Sequence, residues 1–265
     1  MDRMIEQDHF RNDGIAEFYD GLALDYDEMT GFEKRFIREK PFFRLLVGRF
    51  GINSALDAGC GTGFHSLLLS QLGVKVTAFD VSEEMLQITR RHASDMNIEL
   101  RTLQASFFDI GSKLNERFDA VFCLGNSLVH LLSGREVEAA LRNLHTVLRH
   151  DGVLFIQILN YARLLETEER IQSVKEAGGK VFVRFYDYED ERIRFNILTI
   201  AKKESMLTHS LRSVELRPIP KEEILMTMRN VGFSDVKLFG SISLEEFEAQ
   251  NSTDLIVIGK KTAAI

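Results

Sequence analysis

Three glycines, Gly59, Gly61 and Gly63, stand in LDAGCGTGFHSLLL between a short apolar run and a helical pattern. Glycine at such a bend lets the chain turn tightly and lets a ligand press against bare backbone. The helix that follows aims its first N–H groups, and the positive end of its dipole, at whatever binds there. Asp80 ends the next apolar run, 17 residues beyond Gly63. A carboxylate in that register can accept both hydrogens of a ribose 2′,3′-diol. Charge-assisted bonds of this kind contribute about 1.5–3 kcal/mol. The competing reading of Asp80 is a helix cap or a plain strand end. Asp57 precedes the glycines, and position 64 is Phe where a dinucleotide fingerprint expects another glycine. An acid there opposes a pyrophosphate and suits an ammonium or a sulfonium.

A second group of reactive side chains lies in CLGNSLVHLL, residues 123–132. It follows another apolar run, and loops at the carboxyl ends of parallel strands line the ligand crevice. His130 could take a proton from an incoming amine or hydroxyl, or could bond a backbone carbonyl. Asn126 could position a substrate, or could bond its own turn. Tyr19 and Tyr26 fall together in FYDGLALDYDEM, two of only five tyrosines in the chain. A helix carrying them could fold over a pocket and exclude water; ordinary aromatic packing is the alternative. Cys60 and Cys123 have no neighbouring base, so a covalent thiol mechanism is not expected. Their spacing also excludes a disulfide framework and a cysteine-built zinc site, and no metal is expected.

These residues need a scaffold that brings several loops to one edge. Residues 1–50 read as helical, with apolar side chains at three- and four-residue spacing and with Pro41 placed to start or kink a helix. From SALDA onward, short apolar strands alternate with helices. Strands are expected at VKVTAFD, 99–104, 118–124 and 151–159, with Ser82 and Ser133 as helix caps. That alternation predicts an α/β fold, a mostly parallel sheet covered on both faces. After Asn160 it stops. A polar helix to about residue 176 is expected, closed by Gly178 and Gly179, then three antiparallel strands in which Arg192, Arg194 and Asn196 alternate with Ile193, Phe195 and Ile197. A helix and a closing hairpin, DVKLF with TDLIVIGK, complete the chain. The organisation predicted is a helical cap over 1–50, a ligand-binding α/β core over 51–160 and 219–265, and an antiparallel lid over 161–218.

The 265 residues suit one large α/β domain or a core with a small insertion. The net charge of -7 argues against a broad surface for phosphate backbones, and the run Lys34, Arg35, Arg38, Lys40 and Arg44 reads as the wet face of a helix. The charged start MDRMIEQDHF holds no apolar signal segment, and no run reaches the roughly 18 apolar residues of a membrane span. The expected partner is therefore a small molecule, with no nucleic acid and no membrane, in the cytoplasm. Edge strands of the lid could pair two copies into a homodimer.

DAGCGTG followed by VTAFDVSEEML resembles the class I S-adenosylmethionine-dependent methyltransferases, and the likeness covers most of the chain. It implies a Rossmann-like seven-stranded sheet of order 3-2-1-4-5-7-6 with strand seven antiparallel, and S-adenosyl-L-methionine as cofactor. Gly59, Gly61 and Gly63 would shape the methionyl and sugar pocket beside Asp57. Asp80 would hold the ribose, Val81 and Met85 would flank the adenine, and Ser106 and Phe107 would lie at its edge. Many relatives carry an acid where this chain has Ser106. CLGNSLVHLL and FYDGLALDYDEM are similar to the glycine/sarcosine and small-amine N-methyltransferases. That likeness implies methyl transfer to an amine nitrogen, with Leu124, Tyr19 and Tyr26 near the cofactor and with Asn126 and Tyr26 near the acceptor; His130 stays a candidate there on its chemistry alone.

One position departs from that group. Its members place an arginine before an Asn-Tyr pair to clamp the carboxylate of glycine, and this chain has Leu159 before Asn160 and Tyr161. A buried carboxylate without a cation would cost several kcal/mol. Glycine then needs another clamp, and Arg184, Arg194 and Arg212 are the candidates in the lid. Two further readings keep the core fold: a nicotinamide-dependent oxidoreductase and a non-catalytic cofactor-binding subunit.

Overall fold

The computed structural model describes residues 14–203 and 206–262. The helical reading of residues 1–50 holds from position 14 onward; positions 1–13 lie outside the described residues. Helix α1 (14–20) leads into α2 (Ala23–Thr30) and α3 (Phe32–Phe50). Gly31 separates the last two, and its N–H closes α2 on the Asp27 carbonyl at 2.8 Å. Pro41 lies within α3.

The alternating part then runs β1 (Ser54–Ala58), α4 (Phe64–Ser70), β2 (Lys75–Asp80), α5 (Glu83–Asp95), β3 (Arg101–Gln104), α6 (Ile110–Lys113) and β4 (Phe118–Cys123). A 3-10 turn (Ser127–His130), α7 (Gly134–Val147) and β5 (Leu148–Leu159) follow. Both predicted caps form: the Ser82 hydroxyl accepts the Met85 N–H at 3.0 Å, and Ser133 accepts that of Glu136 at 3.3 Å. After α8 (Tyr161–Thr167) come β6 (Ile171–Ala177), β7 (Lys180–Tyr188), β8 (Ile193–Lys203) and β9 (Met206–Leu216). The chain returns through α9 (Lys221–Val231), β10 (Phe233–Phe239) and β11 (Asp254–Lys261).

The main sheet has seven strands in the order β3-β2-β1-β4-β5-β11-β10. Every pair is parallel except those of β11, which runs antiparallel to both neighbours. This is the predicted order, with β10 and β11 as strands six and seven. Its central strands are apolar on both faces because helices cover both, and Ala55, Leu56, Val121 and Leu154 are fully buried. Phe122 and Phe155 stack across β4 and β5 with centroids 4.6 Å apart. Buried side chains of this size contribute about 1.5–3 kcal/mol each. No helix among the described residues is long and apolar enough to cross a membrane.

The second sheet is antiparallel, in the order β6-β7-β8-β9. It has four strands where the sequence suggested three. The helix expected to reach residue 176 ends at Thr167, and Ile171–Ala177 is a strand. Gly178 and Gly179 turn a hairpin, so the ladder to β7 wins over the helix propensity of a polar stretch. The inner face of this sheet packs Phe182 and Ile197 against Phe18, Leu22 and Met29 of the N-terminal helices and against Met85 and Ile88 of α5.

Candidate active site

Strands β1, β2 and β4 end at one edge of the main sheet, and the loops that follow them enclose a cleft. It holds about 940 Å³ of atom-free space, part of it continuous with solvent. The cleft is lined mainly by apolar side chains with a few polar groups among them, the make-up of a small-molecule site.

The glycine loop forms one wall. Gly59 and Cys60 donate to the Phe79 carbonyl at 2.9 and 3.0 Å, which ties the bend to the end of β2. Gly59 has a left-handed φ of 73°, and a Cβ there would meet the Ser127 hydroxyl at 2.8 Å. Gly61, with φ 55°, presents bare backbone to the cleft; the nearest atom to a Cβ would be on the Tyr26 ring, at 4.0 Å. The Gly61 N–H donates to Asp80 Oδ2 at 2.8 Å and the Ser82 N–H to Oδ1 at 3.0 Å. Burial raises the Asp80 pKa, and these backbone donors pull against it. A carboxylate offers about four lone-pair sites, and two are taken, which leaves acceptor capacity in the cleft.

The opposite wall is built from distant sequence. Tyr19 on α1 meets His130, with its hydroxyl 2.9 Å from Nε2 and the rings edge to face at 5.5 Å. Burial pushes the His130 pKa down to about 4, so the imidazole is neutral at pH 7. Its Nδ1 is buried and has no hydrogen-bond partner among the described residues. Burial also raises the Tyr19 hydroxyl well above its ordinary value, with the charges of Tyr26 and Asp80 adding to it. Tyr26 lines the cleft beside Tyr19, centroids 6.3 Å apart.

Side chains of the N-terminal helices pin this wall to the core. Thr62 donates to Asp27 Oδ1 at 2.6 Å. His92 bridges the two, with Nε2 3.0 Å from Asp27 Oδ2 and Nδ1 3.1 Å from the Thr62 carbonyl. Asp20 accepts from the Ser82 hydroxyl, and Arg212 donates through Nε to the Gly21 carbonyl at 3.0 Å.

Ten of the residues singled out in the sequence line the cleft: Tyr19, Tyr26, Gly59, Gly61, Asp80, Val81, Ser106, Phe107, Leu124 and His130. Four stand behind it. Asp57 is buried in β1 and accepts from the Ser66 hydroxyl at 2.5 Å; burial, opposed by that bond and reinforced by Asp80, raises its pKa to about 7. Gly63 backs onto Thr89, whose methyl would lie 2.7 Å from a Cβ. Met85 is fully buried with Phe18 and Phe182. Asn126 accepts the Leu159 N–H at 3.0 Å and donates to the Tyr161 hydroxyl at 2.9 Å, so it ties its loop to the end of β5. Ser106 donates to Asp109 at 3.1 Å and accepts from Phe108 N–H at 3.2 Å, which fixes its hydroxyl in the loop.

Arg35, Thr62, Phe64, His65 and Ser127 line the cleft without having been singled out for it. Arg35 is the instructive one, because it sits in the charged run read as a wet helix face. Gly31 turns α3 back across the glycine loop, which sets the Arg35 guanidinium 4.2 Å over the Phe64 ring and its Nε 3.0 Å from Glu39 Oε1. The only hint in the sequence was that glycine between two helical patterns. Among the described residues no three His, Cys, Asp or Glu side chains gather as metal ligands.

Residues 55–152 match the family described as a methyltransferase domain. The chain is 31% identical over 236 residues to a glycine/sarcosine N-methyltransferase of Parasynechococcus marenigrum (strain WH8102), covering 89% of this chain and 80% of that one. It is 29% identical over 257 residues to the glycine/sarcosine N-methyltransferase of Aphanothece halophytica, covering 97% and 92%. A crystal structure of an S-adenosylmethionine-dependent methyltransferase from Clostridium acetobutylicum superposes with a TM-score of 0.78 at 17% identity, over 92% of this chain and 99% of that one.

Proposed function

This chain belongs to the S-adenosylmethionine-dependent methyltransferases, in the group that contains the glycine/sarcosine N-methyltransferases, and from that premise we propose that its acceptor atom is the nitrogen of a small amine. The enzyme is a class I methyltransferase that moves a methyl group from S-adenosylmethionine to a small acceptor. One observation supports the amine reading beyond the relatives' names. Asp80 is held on backbone N–H groups at one wall of the cleft, while the Tyr19–His130 pair lines the other, where no carboxylate stands among the described residues.

The residues present fit the cofactor. Asp80 keeps lone pairs for ribose hydroxyls, Gly61 offers bare backbone, and Arg35 is the one cationic side chain among the described residues that line the cleft. On this reading Arg35 holds the amino-acid carboxylate, and Val81, Ser106 and Phe107 flank the adenine. Asp57 and Met85 support that pocket from behind. When bound, S-adenosylmethionine supplies an electrophilic methyl group whose leaving thioether is neutral.

The chain's own work is then alignment and exclusion of water. Tyr19, Tyr26 and Leu124 shape the space the nitrogen enters, and Asn126 fixes the loop that carries His130. A neutral imidazole with a pKa near 4 is a weak base. His130 therefore orients Tyr19 and the amine, and the amine sheds its proton before or during entry. In this scheme residues 51–160 and 219–265 form the cofactor core, 1–50 the cap and 161–218 the lid. The acceptor is a small molecule and no nucleic acid, in keeping with the net charge of -7. Both cysteines are free and buried, which suits the cytoplasm.

Association of two copies belongs to the same reading. The outer face of the second sheet carries the apolar cross-strand row Val174, Val183, Leu198 and Leu211, in which Val174 is 64% and Leu211 56% exposed. Four strands about 4.8 Å apart and some 30 Å long present roughly 600 Å² per copy, near the lower limit for a stable dimer. Sedimentation of the purified chain reads this directly.

The amine reading is tested with labelled S-adenosylmethionine and a panel of small amines matched to alcohols and thiols. Label should appear on nitrogen. Transfer to hydroxyl or thiol acceptors alone would overturn it.

A further inference from the structure

Helix α3 buries Glu39 on the same face as Phe43 and Leu46, with 4% of the residue exposed. A carboxylate among apolar side chains is costly unless cations and hydrogen bonds answer its charge. A methionine would fill much the same space without that cost. Glu39 does not line the cleft, but two of its partners do, Arg35 and His65.

Glu39 Oε1 accepts from Arg35 Nε at 3.0 Å and from Arg38 Nη2 at 3.1 Å. Its Oε2 lies 4.0 Å from His65 Nε2. Burial and the charge of Arg35 press the His65 pKa down to about 3, so that imidazole is neutral and the two arginines are the countercharges. The Arg38 side chain is 71% exposed and that of Arg35 29%, so Arg35 is the partner that Glu39 holds towards the protein interior. Two contacts fix the Arg35 guanidinium. Glu39 takes its Nε edge, and its central carbon stands 4.2 Å over the ring of Phe64, the first residue of α4 and part of the cleft wall. The two terminal nitrogens make no hydrogen bond among the described residues. They form the fork that takes a carboxylate in two parallel bonds. One acid shared by two arginines leaves the group net positive, so Glu39 steadies Arg35 without cancelling its pull on an anion.

We infer that Glu39 is the positioning residue of the clamp on the cofactor's carboxylate. It holds the Arg35 guanidinium against Phe64, at the start of α4, with the fork kept free for the carboxylate of the methionyl group. This rests on the reading of Arg35 as that clamp and is independent of which acceptor is methylated.

The experiment measures, by calorimetry on the full chain, the binding of S-adenosylhomocysteine and of methylthioadenosine, which shares the nucleoside and the thioether but lacks the carboxylate. Arg35→Met should weaken S-adenosylhomocysteine by about 10-fold or more and leave methylthioadenosine within about two-fold of wild type. Glu39→Met should reproduce that selective loss at about 10-fold. Glu39→Gln, whose amide oxygen still accepts from Nε, should lose only about two- to three-fold. In the Arg35→Met background neither change at Glu39 should cost anything further, because its effect runs through the guanidinium. A merely structural role would weaken both ligands alike and would add to Arg35→Met. Equal losses for the two ligands, an unchanged affinity for S-adenosylhomocysteine in Glu39→Met, or full additivity overturns the inference while the reading of Arg35 stands. Should Arg35→Met bind S-adenosylhomocysteine as wild type does, the reading of Arg35 fails and the inference with it. If Glu39→Met does not fold, Glu39→Gln decides. A loss confined to S-adenosylhomocysteine and absent from the Arg35→Met background supports the inference, and no loss, or an equal loss of both ligands, overturns it.

Discussion

The two walls of the cleft are made differently. The glycine-loop wall is local: Gly59, Gly61 and Asp80 lie within 22 residues of one another, on the ends of two adjacent parallel strands. The opposite wall joins Tyr19 to His130 across 111 residues. The first wall is made largely of backbone, held by ladder and turn bonds that any side chain would tolerate except where a Cβ collides. The second is side chain on side chain, seated on helices that the core grips through a handful of polar bonds. Binding of the nucleoside should therefore be robust and separable, and acceptor choice should be the property that substitutions move.

The largest effect that would break this comparison concerns Asp80. Asp80→Ala removes the acceptor for both the Gly61 N–H and a ribose diol. The loss of charge-assisted bonds, about 1.5–3 kcal/mol, should weaken S-adenosylmethionine binding roughly 10- to 150-fold, measured by calorimetry. Asp80→Ala with unaltered affinity would mean that the cofactor leans on the other wall.

Asp57 sharpens the same side. Its folded pKa, about 7, stands above the ordinary carboxylate value. Between those two values the native chain holds the extra proton, so this group's contribution falls as pH rises and is fully lost above 7. Asp57→Asn keeps a partner for Ser66 and cannot ionise. Its advantage in melting temperature over wild type should widen from pH 5 to pH 8, by about 2–4 °C for each kcal/mol recovered. A positively charged ligand should narrow that gap, since it favours the ionised acid. Parallel melting curves at both pH values would show that Asp57 does not titrate there.

These two acids also show what was legible in the chain and what was not. Asp80, the glycines and the sheet order could be read because strand, bend and helix are written in neighbouring residues with fixed periods. The lid's antiparallel strands are readable by alternation, yet Ile171–Ala177 reads as helix, because its polar residues carry no period-two signal and only pairing with β7 makes it a strand. Arg35 was hidden for a related reason. A charged helix face looks the same whether it meets water or a cleft, and the fold-back at Gly31 decides which. Asn126 was identified as a residue of the acceptor edge, but its bonds to Leu159 and Tyr161 depend on where β5 ends relative to its loop, a distance no spacing encodes.

On the far wall the expected effects are smaller and fall on turnover. Tyr19→Phe removes a single neutral hydrogen bond to His130, worth about 0.5–1.5 kcal/mol. The kcat should drop by about 2- to 10-fold with cofactor affinity nearly unchanged. If affinity falls as much as turnover, the two walls are not separable and the comparison fails.

The smallest effect tests the hinge between the walls. His92 donates or accepts at both nitrogens, to Asp27 on α2 and to the carbonyl of Thr62 in the glycine loop. Both partners are acceptors, so the doubly protonated ring satisfies both. Its pKa is raised first by the Asp27 bond, against a cost of burial, with the charges of Asp27 and Asp95 and the Thr62 carbonyl adding. A histidine whose folded pKa exceeds its unfolded value stabilises fully below the unfolded value, about 6.5, and loses that contribution as pH climbs through the folded one. The Phe32 ring on α3 packs 4.9 Å from the imidazole and carries no charge that would reverse the sign. Raising the pH should therefore loosen the cap and speed release of S-adenosylhomocysteine. The pair is partly exposed, which limits it to about 0.5–1 kcal/mol, or two- to five-fold in the release rate. His92→Gln should release product at the faster rate at every pH, and Asp27→Asn should flatten the profile in the same way. A wild-type release rate that does not change with pH, or a profile that survives both substitutions, would place the coupling of the two walls elsewhere, in the Asp20–Ser82 bond or in the packing of Met85 against Phe18.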